Sequence, residues 1–295
     1  MQAEQELEYR RALPEENMNS EEIKEIKKFA KQIQIETTKE IASLGVGHIG
    51  GALSISDLLA VLYGKQMKID PKNPSWEERD WFVCSKGHAG PAVYATLALK
   101  GFIPMSELET LNRPGTNLPS HCDRTKTPGI DMTTGSLGQG ASTAAGIALA
   151  HKMDSKPNYT YVVFGDGEID EGQVWEMALF AHTKKLSNLI AFVDHNNLQI
   201  DGQTSEVCDL GDIRAKFESF GWYAQEVDGH DVEAIDKAIE NAKAQNEKPS
   251  MIVLDTVKGH GWSAIENTAG CHSMNINVEQ CAEAVAEMSA EMAKI

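Results

Sequence analysis

Apolar side chains recur along this chain in two rhythms. Ile23, Ile26, Ala30, Ile33, Thr37 and Ile41 lie three and four residues apart, which predicts one amphipathic helix. Asn19 precedes it as a cap with Glu22 three residues on, the arrangement of a capping box, and Gly45-Val46-Gly47 ends it. A second helix is predicted over 56–63. The apolar run 81–84 reads as a short strand, followed by a glycine loop and a small-residue helix over 91–99. From residue 159 the pattern alternates. Strands are predicted over 159–164, 189–193, 223–227 and 250–257, with helices over 173–185, 212–220 and around Ile235, Ala238, Ile239 and Ala242. A last, acidic helix is predicted over 278–295. Near-continuous apolar strands alternating with amphipathic helices predict an α/β fold, a mostly parallel sheet with helices on both faces. No internal repeat, low-complexity linker or abrupt composition shift divides the chain. Residues 20–295 are expected to form one domain, and 1–19 a polar tail that need not be ordered.

Composition narrows the function classes. Of 295 residues, 27 are Lys or Arg and 44 are Asp or Glu, a formal net charge of −17 that argues against nucleic acid or an anionic membrane surface as the main partner. Hydrophobic residues at 41% and charged residues at 24% are values of a globular chain, not a disordered one. No apolar run approaches the roughly 20 residues that cross a bilayer. The first residues, MQAEQELEYRRALPEEN, are polar and acidic, unlike a signal or transit peptide, so a cytoplasmic protein is expected. Cys84, Cys122, Cys208, Cys271 and Cys281 contain no CxxC pair, which supports neither a disulfide framework nor a zinc ribbon.

In a parallel sheet, ligands sit outside the carboxyl ends of the strands. The strand 159–164 runs into Gly165-Asp166-Gly167-Glu168, and the strand 189–193 into Asp194-His195-Asn196-Asn197. The 28 residues between Gly167 and Asn196 are enough for one crossover helix and two turns, so Asp166 and Asn196 can project into one crevice. A carboxylate, an amide oxygen and a backbone carbonyl suit a small hard cation such as Mg²⁺, which keeps open positions for diphosphate oxygens. The glycines allow backbone N–H groups to approach phosphates. Alone, a Gly-Asp-Gly tripeptide reads as an ordinary turn. A calcium loop of Asp166, Glu168 and Asp170 is disfavoured because Glu171 occupies the place where an EF-hand needs glycine.

The two strand ends at that spacing resemble the thiamine diphosphate signature. The string Asn196-Asn-Leu-Gln-Ile-Asp-Gly202 is similar to its transketolase version. Gly47-His48-Ile49-Gly50, Ser85-Lys86-Gly87-His88, Ser120-His121-Cys122-Asp123, the segment from Thr133 to Gly140, and Cys271-His272 all follow the family's order. The resemblance implies thiamine diphosphate and Mg²⁺ as cofactors. Asp166, Asn196 and the Leu198 carbonyl would hold the metal, and the Gly167 N–H would meet the diphosphate. Gly135 and Leu137 match the loop against the cofactor rings, and Ile200 an apolar residue near the thiazolium. Glu171 matches an acidic residue linking the two active sites of a dimer.

The nine histidines divide. His151, His182, His195 and His230 read as exposed or structurally satisfied. His48, His88 and His121 sit in glycine- or turn-rich loops and match family histidines that meet the reacting carbonyl, the diphosphate and the donor's terminal hydroxyl. Imidazole suits proton movement near neutral pH. His272 matches a fourth site histidine, although the family string differs around it and His260 is a rival. Cys271 reads as a bland thiol. His48-Ile49 replaces the His-Pro of many relatives, a change in loop stiffness.

Transketolases of the fused kind are roughly twice as long, and nothing here resembles their second half. The resemblance therefore implies the N-terminal subunit of a split enzyme, active with a C-terminal subunit in an α₂β₂ assembly, transferring a two-carbon ketol unit from an anionic ketose to an aldose. The donor head group, phosphate or another anion such as sulfonate, is left open. Alternatives are the thiamine-binding subunit of a 2-oxo acid dehydrogenase, deoxyxylulose phosphate synthase (normally a fused chain), and a non-catalytic module of the same fold.

Overall fold

The computed structural model describes residues 18–200 and 202–295. Residues 1–17 of the expected tail lie outside the described residues. The first helix, α1 (Ser20–Leu44), begins as its capping box predicts: the Asn19 carbonyl oxygen of the side chain accepts from the Glu21 and Glu22 N–H groups at 3.0 and 3.1 Å, and Glu22 accepts from the Asn19 N–H at 2.8 Å. Ile26, Ala30, Ile33, Thr37 and Ile41 are buried along one stripe. Then follow β1 (Val46–Gly47), α2 (Gly50–Leu53), α3 (Ser56–Val61), β2 (Trp81–Cys84) and α4 (Gly90–Lys100). Next come α5 (Gln139–Met153), β3 (Thr160–Gly165), α6 (Gly172–Thr183) and β4 (Leu189–His195). The chain closes with α7 (Thr204–Val207), α8 (Ile213–Ser219), β5 (Tyr223–Asp228), α9 (Val232–Ala244), β6 (Ser250–Asp255), β7 (Met274–Asn275) and α10 (Val278–Met292).

Five strands form one sheet in the order β2-β3-β4-β6-β5, and each neighbouring pair is parallel. Successive residues of the inner strands feed opposite faces. Tyr161, Val163, Ile190, Phe192, Ile252 and Leu254 face a core shared with α1, α3, α4 and α9. Val162, Phe164, Ala191, Val193, Met251 and Val253 face a second core shared with α5, α6 and α8. Both faces are therefore covered, as the unbroken apolar strands predict. β5 is an edge strand, and its side chains are correspondingly less buried.

Several elements differ from the sequence prediction, the short helices α2 and α7 among them. α5 is not anticipated by an amphipathic stripe, because its QGASTAAGIALAHKM sequence is small-residued on every side. The helix over 56–63 is regular only to Val61, and Leu62–Gln66 relaxes into a π-turn. β6 stops at Asp255, beyond which only the Thr256 N–H bond to His195 prolongs the ladder. An antiparallel ribbon of β1 and β7, with Gly47 opposite Met274, also lies outside the prediction. Among the described residues no helix is long and apolar enough to cross a membrane.

Candidate active site

β3 and β4 end side by side, with Gly165 paired to Asp194. The residues just past those ends therefore meet. Asp166 Oδ2 accepts from the Asn196 and Asn197 N–H groups at 3.0 and 2.7 Å, and Oδ1 accepts from the Gly167 N–H at 2.8 Å. The Asn196 amide donates to Asp194 Oδ2 at 3.0 Å, which fixes its orientation and leaves Oδ1 to accept from the Leu198 N–H at 3.2 Å. Asp194 is fully buried and also accepts from Lys86, from Ser54 at 2.7 Å and from Thr256 at 2.5 Å. Burial alone would raise its pKa, but the Lys86 ammonium and these hydrogen bonds outweigh it and hold the carboxyl below the usual range.

Asp166 responds in the opposite sense. Burial, then repulsion from Asp194, pushes its pKa up to about 6 despite the N–H donors around it. Asp194 already has the Lys86 ammonium, whereas Asp166 has no ion-pair partner among the described residues, and the neighbouring oxygens of Asn196 and Leu198 are hard donors of the kind Mg²⁺ takes. The residues present fit such an ion.

These groups open onto a cavity of about 310 Å³. His48, His88, His121 and His272 line its other side, with ring centroids 5.3 Å apart for His48–His272, 5.4 Å for His48–His88, 5.6 Å for His48–His121 and 5.0 Å for His88–His272. The β1–β7 ribbon explains one pair: it brings the residue after Gly47 alongside the residues before Met274. His88 sits in the 3₁₀ turn after β2. His121 packs against Gly135, whose φ of +133° is open to glycine and where a β-carbon would come within 2.9 Å of the His121 ring. Burial lowers the pKa of all four; for His88, held well below its ordinary value, Lys86 and His272 add to it, and His272 falls to about 4. At neutral pH they are neutral imidazoles, each with a nitrogen able to accept a hydrogen bond. The His272 Nδ1 is buried with no partner among the described residues.

The other predicted positions divide. Gly135, Leu137, Gly167, Leu198 and Ile200 line the cavity, and Ile200 is 66% exposed at its edge. Gly167 admits Gln199, whose side chain would lie 2.7 Å from a β-carbon there. Glu171 does not line the cavity; it is exposed, beside Gly138. His260 also lies outside, stacked on His230 with centroids 3.6 Å apart, near Asp57. Near-parallel rings so close keep their in-plane lone pairs from converging, and His230 Nε2 already accepts from the Val257 N–H, so this trio is no metal centre. Cys271 is buried against Gly50.

Sequence reasoning missed Lys86, Glu168, Asp194 and Lys258, which all line the cavity. Glu168 is 2% exposed and accepts from the Ser85 hydroxyl, the Gly138 N–H and the Gly165 N–H, tying three glycine-bearing loops together. Its position in the Gly-Asp-Gly-Glu string was the available signal.

Residues 25–293 match the family described as transketolase, thiamine diphosphate binding domain. The chain is 56% identical over 255 residues to the 6-deoxy-6-sulfo-D-fructose transketolase subunit SqwG of Clostridium sp. (strain MSTE9), covering 86% of this chain and 93% of the relative. It is 41% identical to one of the subunits of the apulose-4-phosphate transketolase of Phocaeicola vulgatus, covering 84% of this chain and 88% of that relative. Among solved structures, a Pichia stipitis transketolase in complex with sedoheptulose 7-phosphate superposes with a TM-score of 0.83 at 33% identity, over 92% of this chain but 44% of that one.

Proposed function

Because the chain belongs to the transketolase family and carries its thiamine diphosphate-binding domain, we propose that it is the cofactor-diphosphate subunit of a two-chain transketolase. The pair transfers a two-carbon ketol unit from an anionic ketose to an aldose. The observation that carries this reading is the convergence of Asp166, Asn196 and Leu198 with four neutral histidines on one cavity. In this reading Asp166, Asn196 and the Leu198 carbonyl hold Mg²⁺, and the Gly167 N–H meets the diphosphate. Gly135, Leu137 and Ile200 offer surface to the cofactor rings. When bound, the cofactor supplies the electron sink that lets a carbon–carbon bond next to a ketone break and re-form. The protein's own part is to place hydroxyls and hold protons. His48 and His272 meet edge to face on one wall of the cavity and accept protons from substrate hydroxyls, and His88 and His121 orient the substrate through hydrogen bonds. Glu171, exposed and outside the cavity, is assigned to contact with a neighbouring protomer.

Two relatives named as subunits, aligned over 93% and 88% of their own lengths, support a separate partner chain that completes the site. We propose an α₂β₂ assembly, a cytoplasmic location and one domain spanning residues 20–295. The 56% identical relative is named for a sulfonated ketose, so 6-deoxy-6-sulfofructose is the first donor we assign, ahead of phosphorylated ketoses.

The test is co-expression with a candidate C-terminal partner, followed by a donor panel of 6-deoxy-6-sulfofructose, fructose 6-phosphate and xylulose 5-phosphate. Transfer from the sulfonated sugar at the highest kcat/KM is expected; transfer from phosphorylated donors alone would overturn the donor assignment. His48→Ala is expected to lower turnover by roughly 10²-fold or more with cofactor still bound. Near-normal turnover would remove His48 from the proton-handling role.

A further inference from the structure

Glu168 has no part in the proposed function, yet its buried carboxylate stands where two loops of the cavity are joined. It is 2% exposed. One oxygen accepts from the Ser85 hydroxyl at 2.5 Å and the Gly138 N–H at 3.0 Å, and the other from the Gly165 N–H at 3.2 Å. Lys86 lies close enough to favour its charged form, against burial. Gly138 opens α5 with no side chain of its own to cap the helix, and Glu168 supplies an acceptor at that positive end. A glutamine could not replace it bond for bond, because its single amide oxygen leaves an NH₂ group facing an N–H donor. The two loops also touch directly. The Thr134 hydroxyl donates to the Cys84 carbonyl at 2.6 Å, and a β-carbon at Gly87 would come within 2.7 Å of the Gly135 nitrogen. One loop carries Lys86 and His88 and the other Gly135 and Leu137, all of them lining the cavity.

We propose that Glu168 is a positioning residue for the ring end of the cofactor. Its carboxylate fixes the gap between the loop 85–88 and the loop 135–138, and acts on the cofactor only through Gly135, Leu137 and His88. Gly135 in turn packs on His121, so the same clamp reaches a second histidine. The diphosphate end is assigned to other groups, Asp166, Asn196, Leu198 and Gly167. Those are held by the β3–β4 ladder, in which Gly165 stays opposite Asp194 with or without Glu168. Ring binding and diphosphate binding therefore respond differently to its loss. The clamp's role rests on the proposed function, which puts the rings against Gly135 and Leu137.

The test compares thiamine diphosphate with inorganic pyrophosphate, each bound to the two-chain complex in saturating Mg²⁺ and measured by calorimetry. Glu168→Gln is expected to bind thiamine diphosphate on the order of 10-fold more weakly, and pyrophosphate within about 2-fold of wild type. Ser85→Ala, which removes one donor and keeps the carboxylate, should weaken thiamine diphosphate about 5-fold. The double variant should fall no more than about 2-fold below Glu168→Gln, because one clamp is lost only once. Hydrogen exchange on the full chain alone reads the clamp without the cofactor: the Gly138 N–H should exchange faster in Glu168→Gln while β4 keeps its protection. Thermal melts identify a folding loss, in which case Ser85→Ala carries the comparison. Equal losses for both ligands, or thiamine diphosphate affinity within about 2-fold of wild type, would overturn the positioning role. Wild type that binds pyrophosphate but not thiamine diphosphate would refute the cofactor assignment, and the positioning role falls with it whatever the exchange shows.

Discussion

Four imidazoles, each with its ring centroid within about 6.5 Å of those of His48 or His88, would repel strongly if protonated, and burial already keeps them neutral. His272 carries a testable sign. Its folded pKa is about 4 against an ordinary 6.5, so between those values the unfolded chain binds a proton that the folded chain refuses. Stability therefore rises with pH across that window and reaches its full value above about 6.5. Asp166, raised to about 6 from 3.8, works in the opposite direction over its own window. His272→Asn is expected to flatten the rise of Tm between about pH 4.5 and 6.5. An unchanged slope would place His272 in a more open setting than its neighbours indicate. At this scale the sequence was partly legible. Asp166 and Asn196 could be placed because each follows an apolar strand. Lys86 and Lys258 could not, because a loop lysine ordinarily keeps its head in water and nothing local announces burial at 1% and 3% exposure. The histidines were separated by their loops, and only the ribbon decides which of His260 and His272 faces the cavity.

Elements were legible where apolar rhythm was unbroken. The inner strands could be found because both faces are buried, so hardly a polar residue interrupts them. α5 escaped because alanine, glycine and serine surround its axis, although Ala141, Ala144, Ala145 and Ala148 do recur at helical spacing on the buried side. β1 and β7 are two residues each, too short for any period. The strand order, with β6 between β4 and β5, depends on crossover packing that no local pattern records. Two substitutions probe these elements. Phe192→Ala, in the middle of β4 and fully buried, should cost about 3–5 kcal/mol of stability by leaving a cavity in the core. Gly135→Ala combines a positive φ with a close approach to His121 and should cost about 1–3 kcal/mol. Gly172→Ala, with open space at the start of α6, is the control and should be neutral or stabilising. A Gly135→Ala melt equal to that of the control would show that the loop relaxes freely and does not hold His121.

For the molecule as a whole, charge and cavity complement one another. A chain of net charge −17 is poorly suited to hold an anionic cofactor by bulk field. It gathers its binding capacity locally, in a group of hard oxygens past β3 and β4 and two buried lysines. The family's overall likeness was legible because its motifs are spread from residue 47 to residue 272, at the ends of elements that the fold brings together. The donor's head group was not, since among the described residues no arginine lines the cavity. The partner chain is assigned that recognition. The most direct test of a divided active site is ketol transfer measured with purified chains, this one alone and mixed with the candidate C-terminal partner, in Mg²⁺ and thiamine diphosphate. No transfer is predicted from either chain alone, and full transfer from a complex of fixed stoichiometry, lost in Asp166→Ala. Sustained transfer by this chain alone would contradict it.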